Sequence, residues 1–369
     1  MSEGSPAGGG PGTSPSVLIL CNQSEGRVDA IRDASAQLAR ALTAEGARVA
    51  VSQRPDGSGW PGCAGSASEG WDVILLQYNP FLYGRWGFAP WLVLHFWRLR
   101  LRRRRRLMAL MVHEPYVPMT GWRWVLMGLW QRTQLALLRA ASDVVFASIE
   151  VWTERLRRTW PGRPTAHLPV GSNLPDRRDR RTASRRLLET EKGELVLATL
   201  SSGHPSHDLE LVQAALAALA ERGRRVVYLV LGAGAAVPER VPPGVRVVRP
   251  GQLSGDELAS MLSAADLFLA PLVDGVSTRR TTAMAALQHG LPVVGTDGPL
   301  TDELFRKTPH AIHLVPAGHP ALFAAEVVRL VERPVERASV GRAAEQLYGS
   351  CLDWPVSARR LLVSCGVKP

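Results

Sequence analysis

Twice along this chain, short runs of Val, Leu and Ile that suit a buried strand alternate with longer stretches of helical spacing. That alternation constrains the fold more than any other feature. Residues 17–21 read as a strand, and 29–44 as a helix because Ala30, Ile31, Ala34, Leu38 and Leu42 share one face. Gly46 ends that helix, and 48–52 begins another strand. Further strands read at 73–77, 107–112, 144–147 and 165–168. The pattern pauses at 173–192, a polar, arginine-rich stretch with Pro175, and resumes with strands at 195–200, 226–231, 245–248, 267–270, 292–294 and 312–315. A helix spans 208–222, and a last helix-like segment closes the chain at 354–364. Strands that are apolar throughout and separated by helices pair in parallel and need helices on both faces. The expected class is therefore α/β, with two doubly wound domains in tandem.

The expected divisions are a leader at 1–16, a first domain at 17–173, a linker at 174–192 and a second domain at 193–350. The segment 351–369 is expected as a helix crossing back to the first domain. With 369 residues, 46% hydrophobic and 21% charged, the chain has material for two cores, which excludes disorder throughout. The longest uncharged apolar run, 86–97, has twelve residues including His95, short of a membrane span. The Gly/Pro/Ser-rich leader lacks the order of a secretion signal. Cys21, Cys63, Cys351 and Cys365 lack metal or disulfide spacing, and the compartment expected is the cytosol.

The charge balance, 44 basic against 33 acidic residues, gives net +11 and points to an anionic partner: nucleic acid, a membrane surface or a phosphorylated small molecule. Seven arginines stand between Arg98 and Arg106, and a second cluster fills 177–186. Solvated helix faces and a linker account for many of these. Zinc-finger spacing and aromatic–basic RNA-binding strands are lacking, so no specific nucleic-acid partner is expected.

Three segments carry candidate chemistry. Gly26 lies in the loop after the first strand, where open α/β sheets bind ligands, but one glycine makes no dinucleotide fingerprint and a plain tight turn fits equally. His113-Glu114-Pro115 follows the strand 107–112, so His113 faces the ligand side as a hydrogen-bond donor or proton shuttle, with Glu114 beside it. The segment 271–290, PLVDGVSTRRTTAMAALQHG, follows another strand and enters a helix expected to begin near Thr278. The amides of Val276, Ser277 and Thr278 would then form an anion site at that helix start. Arg279 and Arg280 oppose the helix dipole there unless an anion is present, and Asp274 is placed to accept from sugar hydroxyls.

Together these segments resemble the GT-B glycosyltransferases of the family-4 type, from residue 17 to about 354. The His113-Glu114-Pro115 triplet is similar to that of bacterial phosphatidylinositol mannosyltransferases. The stretch 271–294 with its closing GLPVV resembles the donor-binding motif, and Gly251-Gln252-Leu253-Ser254 followed by LSAAD is typical of the second domain. The resemblance implies two Rossmann-like doubly wound domains facing a central cleft, a UDP- or GDP-linked sugar donor held by the second domain, an acceptor held by the first, and no metal or other cofactor. It puts Val276, Ser277 and Thr278 on the diphosphate, Asp274 on the sugar, Gly251, Gln252 and Leu253 against the base, and His113 facing the sugar.

The sequence departs from that family in two places. The family's pair of spaced glutamates is replaced by Asp274 and, at the second position, Thr282, which leaves the ribose without its usual partner. The loop Ser202-Gly203-His204-Pro205-Ser206-His207 lacks the family's Arg and Lys, with His207 at the place of the Lys, so Arg279 or Arg280 is expected to compensate. His204 and His207 stand three apart without a third ligand to complete a metal site. The function expected is retaining, metal-independent sugar transfer from a nucleoside diphosphate to a small-molecule acceptor. An epimerase or phosphorylase on the same fold, or a non-catalytic membrane- or nucleic-acid-binding protein, are the alternatives. The aromatic run 86–97 joined to Arg98–Arg106 also suggests peripheral contact with the inner face of a membrane.

Overall fold

The computed structural model describes residues 14–22, 30–54, 70–102, 106–119, 121–201 and 206–367. Gly26, Ser202, His204 and Arg103 to Arg105 lie outside the described residues. Two six-stranded sheets form. The first contains β1 (Ser16–Asn22), β2 (Arg48–Arg54), β3 (Val73–Tyr78), β4 (Leu107–Val112), β5 (Val144–Ala147) and β6 (Thr165–His167), in the order β2-β1-β3-β4-β5-β6. The second contains β7 (Leu195–Leu200), β8 (Val226–Leu231), β9 (Val245–Val248), β10 (Leu267–Ala270), β11 (Val293–Asp297) and β12 (Ile312–Pro316), in the order β12-β11-β10-β7-β8-β9. In both sheets the first strand lies inside, and the chain winds outward in two directions.

Both faces of the second sheet are buried, as the continuous apolar runs require. Val196, Ala198, Leu200, Val227, Leu229 and Phe268 pack on one face, and Leu197, Val226, Tyr228, Val230, Leu267 and Leu269 on the other. Each fully buried aliphatic side chain contributes about 1.5–3 kcal/mol. The pairing is parallel in register, from Leu195 opposite Val226 to Leu200 opposite Leu231.

Two compact units divide the chain: Met1–Met111 with Pro115–Val145 and Ala358–Pro369, and Val112–Glu114 with Phe146–Ser357. The second unit therefore holds the carboxyl ends of β4 and β5, all of β6 and the whole second sheet. The stretch expected as a linker contains a 3-10 turn, Arg178–Arg180, and a helix, Arg181–Leu187. Its arginines are less solvated than expected: Arg185 reaches Asp266 at 2.9 Å, and Arg181 shares the same carboxylate.

Candidate active site

The site lies in the second unit, at the carboxyl end of β10. The chain leaves Ala270 and turns through Gly275, whose φ of +87° suits glycine. A Cβ on Gly275 would stand 2.0 Å from Thr301 Oγ1 and 2.5 Å from the Gly298 amide, so the two loops touch backbone to backbone. Leu300 donates its amide to the Asp274 carbonyl at 2.9 Å, which fixes the loop after β11 against this turn.

The helix that follows is Thr281–Gln288, three residues later than expected. The extra residues are held by tertiary bonds. The Val276 amide donates to the Thr296 carbonyl at 2.9 Å and the Thr278 amide to Asp302 Oδ2 at 2.6 Å. Those two amides are thus engaged within the protein and do not form the open anion cradle that a helix start at Thr278 implied. Ser277 is fully buried, and its hydroxyl has no hydrogen-bond partner among the described residues.

The two arginines find their anions inside the chain. Arg280 donates to both oxygens of Asp274, at 2.7 and 2.9 Å, and to Ser206 Oγ at 3.2 Å. Arg279 bonds the same carboxylate, reaches Glu114 Oε1 at 2.7 Å, and lies with its guanidinium carbon 5.0 Å from the centre of the Trp152 ring. Two cations and two carboxylates therefore balance, and the opposition between Arg279, Arg280 and the helix dipole is relieved by protein carboxylates. Asp274 is a shared counterion here, where the sequence suggested a carboxylate open to sugar hydroxyls. Burial, and then the neighbouring Arg279, lower the pKa of Arg280, although a guanidinium stays charged. The Nε atoms of both arginines are buried without a hydrogen bond among the described residues.

His113 immediately follows β4, as expected, and its carbonyl accepts from Ser148 Oγ at 3.2 Å. It is half-buried by surface area, but desolvation pushes its pKa down to about 4. The imidazole is neutral at pH 7, which suits hydrogen bonding and argues against a cationic role. His207 bridges antiparallel to Leu272, and Ser206 accepts the Val273 amide at 3.0 Å, so the loop after β7 runs along the Asp274 turn. Thr282 is half-buried in the first turn of its helix. Gly251 and Gln252 are exposed, and Leu253 packs on the second-sheet core before the capping box of Ser254 and Glu257.

A buried polar knot behind the arginines escaped the sequence reading. Asp302 accepts the Thr278 amide, the Thr278 hydroxyl at 2.7 Å and the Glu150 amide at 2.6 Å. The Thr278 hydroxyl is also 2.6 Å from the Ser148 carbonyl and 2.8 Å from His167 Nε2. Burial raises the Asp302 pKa, offset in part by the Thr278 amide and His167. His167 ends β6, Asp302 follows β11 and Ser206 follows β7. Position at the carboxyl ends of strands was the signal available for all three. Among the described residues, no group of three or more His, Cys, Asp or Glu is placed to hold a metal ion.

Residues 195–333 match the model of the family described as glycosyl transferases group 1. Sucrose-phosphate synthase from Thermosynechococcus elongatus has a similar structure, with 16% identity, a TM-score of 0.65 and coverage of 95% of this chain and 97% of that one. HepE from Anabaena in complex with UDP and glucose gives 15%, 0.66, 95% and 99%. WaaG, a glycosyltransferase of lipopolysaccharide biosynthesis, gives 14%, 0.60, 95% and 100%. No curated protein matches. The fold is that of the GT-B glycosyltransferases, with two Rossmann-like domains. Its second sheet lies within the residues that match the glycosyl transferases group 1 model.

Proposed function

We propose that the protein transfers a sugar from a UDP- or GDP-linked donor to a small-molecule acceptor in the cytosol, with retention at the anomeric carbon and without a metal ion. The observation that carries this reading is the pair of partly buried guanidiniums, Arg279 and Arg280, at the carboxyl end of β10 within the matched family region. Negative charge grows on the departing diphosphate as its bond to the anomeric carbon breaks, and fixed cations in a site of low dielectric lower that barrier most. In this account the diphosphate takes over guanidinium donors that Asp274 and Glu114 now occupy. The released carboxylates are then free to accept from sugar hydroxyls, and neutral His113 orients the sugar by a hydrogen bond. HepE is described with UDP and with UDP-glucose, which supports a uridine donor as the first to try.

The test is incubation of the protein with a panel of nucleotide sugars and candidate acceptors, read by mass spectrometry and by thermal stability. Stabilisation by UDP or GDP together with a glycosylated product supports the proposal. Interconversion of the donor sugar alone would favour an epimerase, and no response to any nucleotide would overturn the reading.

A further inference from the structure

We propose that the second unit carries a second ligand site, a cleft for a small phosphate monoester, at the amino ends of β10 and β11. The cleft has a volume of about 400 Å³. Ala265 and Asp266 line it just before β10, Leu291 and Pro292 just before β11, and Arg337 and Ala338 from the helix Pro334–Leu347. That volume lies at the low end of the roughly 300–1,000 Å³ that hold small ligands. The candidate donor site lies beyond the opposite ends of the same two strands. Since β10 has four residues at roughly 3.3 Å each, about 13 Å separates the two edges, and the sites do not overlap.

The walls are fixed by backbone packing. Pro334, Arg337, Ala338 and Gly341 recur at helical spacing, which sets them on one face of their helix. Gly341 brings that face onto the turn after the helix Thr281–Gln288. A Cβ there would overlap the Gly290 carbonyl oxygen and meet Pro292 Cδ at 3.4 Å. Leu291, Pro292, Pro334 and Ala338 give the cleft an apolar lining. His289 also borders it, but both ring nitrogens are engaged, Nδ1 with the Ala285 carbonyl at 2.8 Å and Nε2 with the Arg177 amide at 3.3 Å. Recognition of a ligand therefore falls to the arginines.

Charge selects an anion. The arginine-rich stretch 177–186 supplies Arg178 and Arg181 to the cleft, and the donor reading uses neither. Arg178 adds no free charge, because Asp176 holds it at 2.7 Å and Glu345 bonds it too, although neither carboxylate lines the cleft. Arg181 shares the single carboxylate of Asp266 with Arg185, at 2.5 and 2.9 Å, so those three groups keep one positive charge. Arg337 is half-buried and has no carboxylate partner among the described residues. Its Nη1 donates to the carbonyls of Leu330 and Val331 at 3.1 and 2.8 Å, capping the helix Pro320–Glu332. Capping takes only that nitrogen. The edge formed by Nε and Nη2 has no hydrogen bond to the protein among the described residues, and such an edge pairs side-on with two phosphate oxygens. Two uncompensated cations match the nearly double charge of a phosphate monoester, whose organic part then lies on the apolar lining.

Isothermal titration with phenyl phosphate, inorganic phosphate and benzyl alcohol tests this on the whole chain and on Arg279→Ala/Arg280→Ala, which lacks the cations of the proposed donor site. Phenyl phosphate is expected to bind both proteins alike and about tenfold tighter than inorganic phosphate, with no binding of benzyl alcohol. Arg337→Gln should weaken phenyl phosphate at least tenfold. Ala338→Glu leaves the Arg337 cap in place and sets a carboxylate in the cleft from an exposed helix position. It should weaken phenyl phosphate equally while keeping the wild-type melting temperature and affinity for UDP. Phenyl phosphate affinity unchanged in either cleft variant, or no binding to wild type, would overturn the proposal. Binding that Arg279→Ala/Arg280→Ala abolishes would assign the phosphate to the donor site and overturn it equally. Since the readout is a second binding event, its failure leaves the sugar-transfer reading standing.

Discussion

Asp274→Asn separates the two roles open to this carboxylate, counterion of the arginines or reader of sugar hydroxyls. Asp274, Arg279 and Arg280 are each about one-fifth exposed, so solvent screens their attraction only in part. At 4 Å between charge centres and an effective dielectric constant of about 20, each pair has about 4 kcal/mol of gross Coulomb attraction. Desolvation offsets most of this, and asparagine keeps the volume and one acceptor oxygen. We therefore expect a net stability loss of about 2 kcal/mol in urea denaturation, below the roughly 3–5 kcal/mol for stranding a fully buried charge. The arginines then meet an incoming diphosphate without a competitor. In isothermal titration UDP should bind about tenfold tighter, some 1.4 kcal/mol, while uridine binds as it does to wild type. Turnover should fall, since a carboxylate freed by the donor is lost. UDP binding that weakens, or UDP and uridine affinities that change together, would refute the counterion role.

Four further outcomes follow from the same geometry. Gly275→Ala should cost at least about 2 kcal/mol, because its Cβ meets Thr301 and Gly298 at a φ of +87°, and calorimetry should show a lower melting temperature. His113 is lowered to about 4, so the unfolded chain binds more protons than the fold between that value and about 6.5; stability should fall by up to about 3 kcal/mol as pH drops through this window, and His113→Gln should flatten the profile. Asp302→Ala should cost about 3 kcal/mol, since the Thr278 and Glu150 amides lose a buried acceptor. The raised Asp302 carboxyl works in the opposite direction to His113: its contribution is largest below the unfolded range near 3.9 and declines as pH rises through the folded value, so urea midpoints of Asp302→Asn should lack that decline.

The strands were legible because a strand buried on both faces in a parallel sheet leaves an uninterrupted apolar run. β4, β5, β7, β8, β9 and β10 begin and end where the sequence reading placed them. Asp208 was read as the first residue of a helix and proves to be its N-cap, accepting the Glu210 amide at 3.1 Å. The placement of His113 after β4 and of Asp274 after β10 was legible for the same reason. What they bond was not. The Arg279–Glu114 ion pair joins residues 165 apart, and the Glu150–Asp302 bond residues 152 apart, distances over which sequence periodicity carries no information. The helix Trp122–Ala140 had no counterpart in the sequence reading, because tertiary bonds to Gln131 and Gln134 turn part of its polar side inward and blur the apolar stripe that marks a helix.

Hydrogen–deuterium exchange with and without UDP tests most directly where the donor binds. The account predicts that UDP slows exchange in the peptides covering 206–208 and 271–288, and that Arg279→Ala/Arg280→Ala removes this protection. Protection confined to peptides of the first unit, with 271–288 unchanged, would contradict a donor site at the carboxyl end of β10.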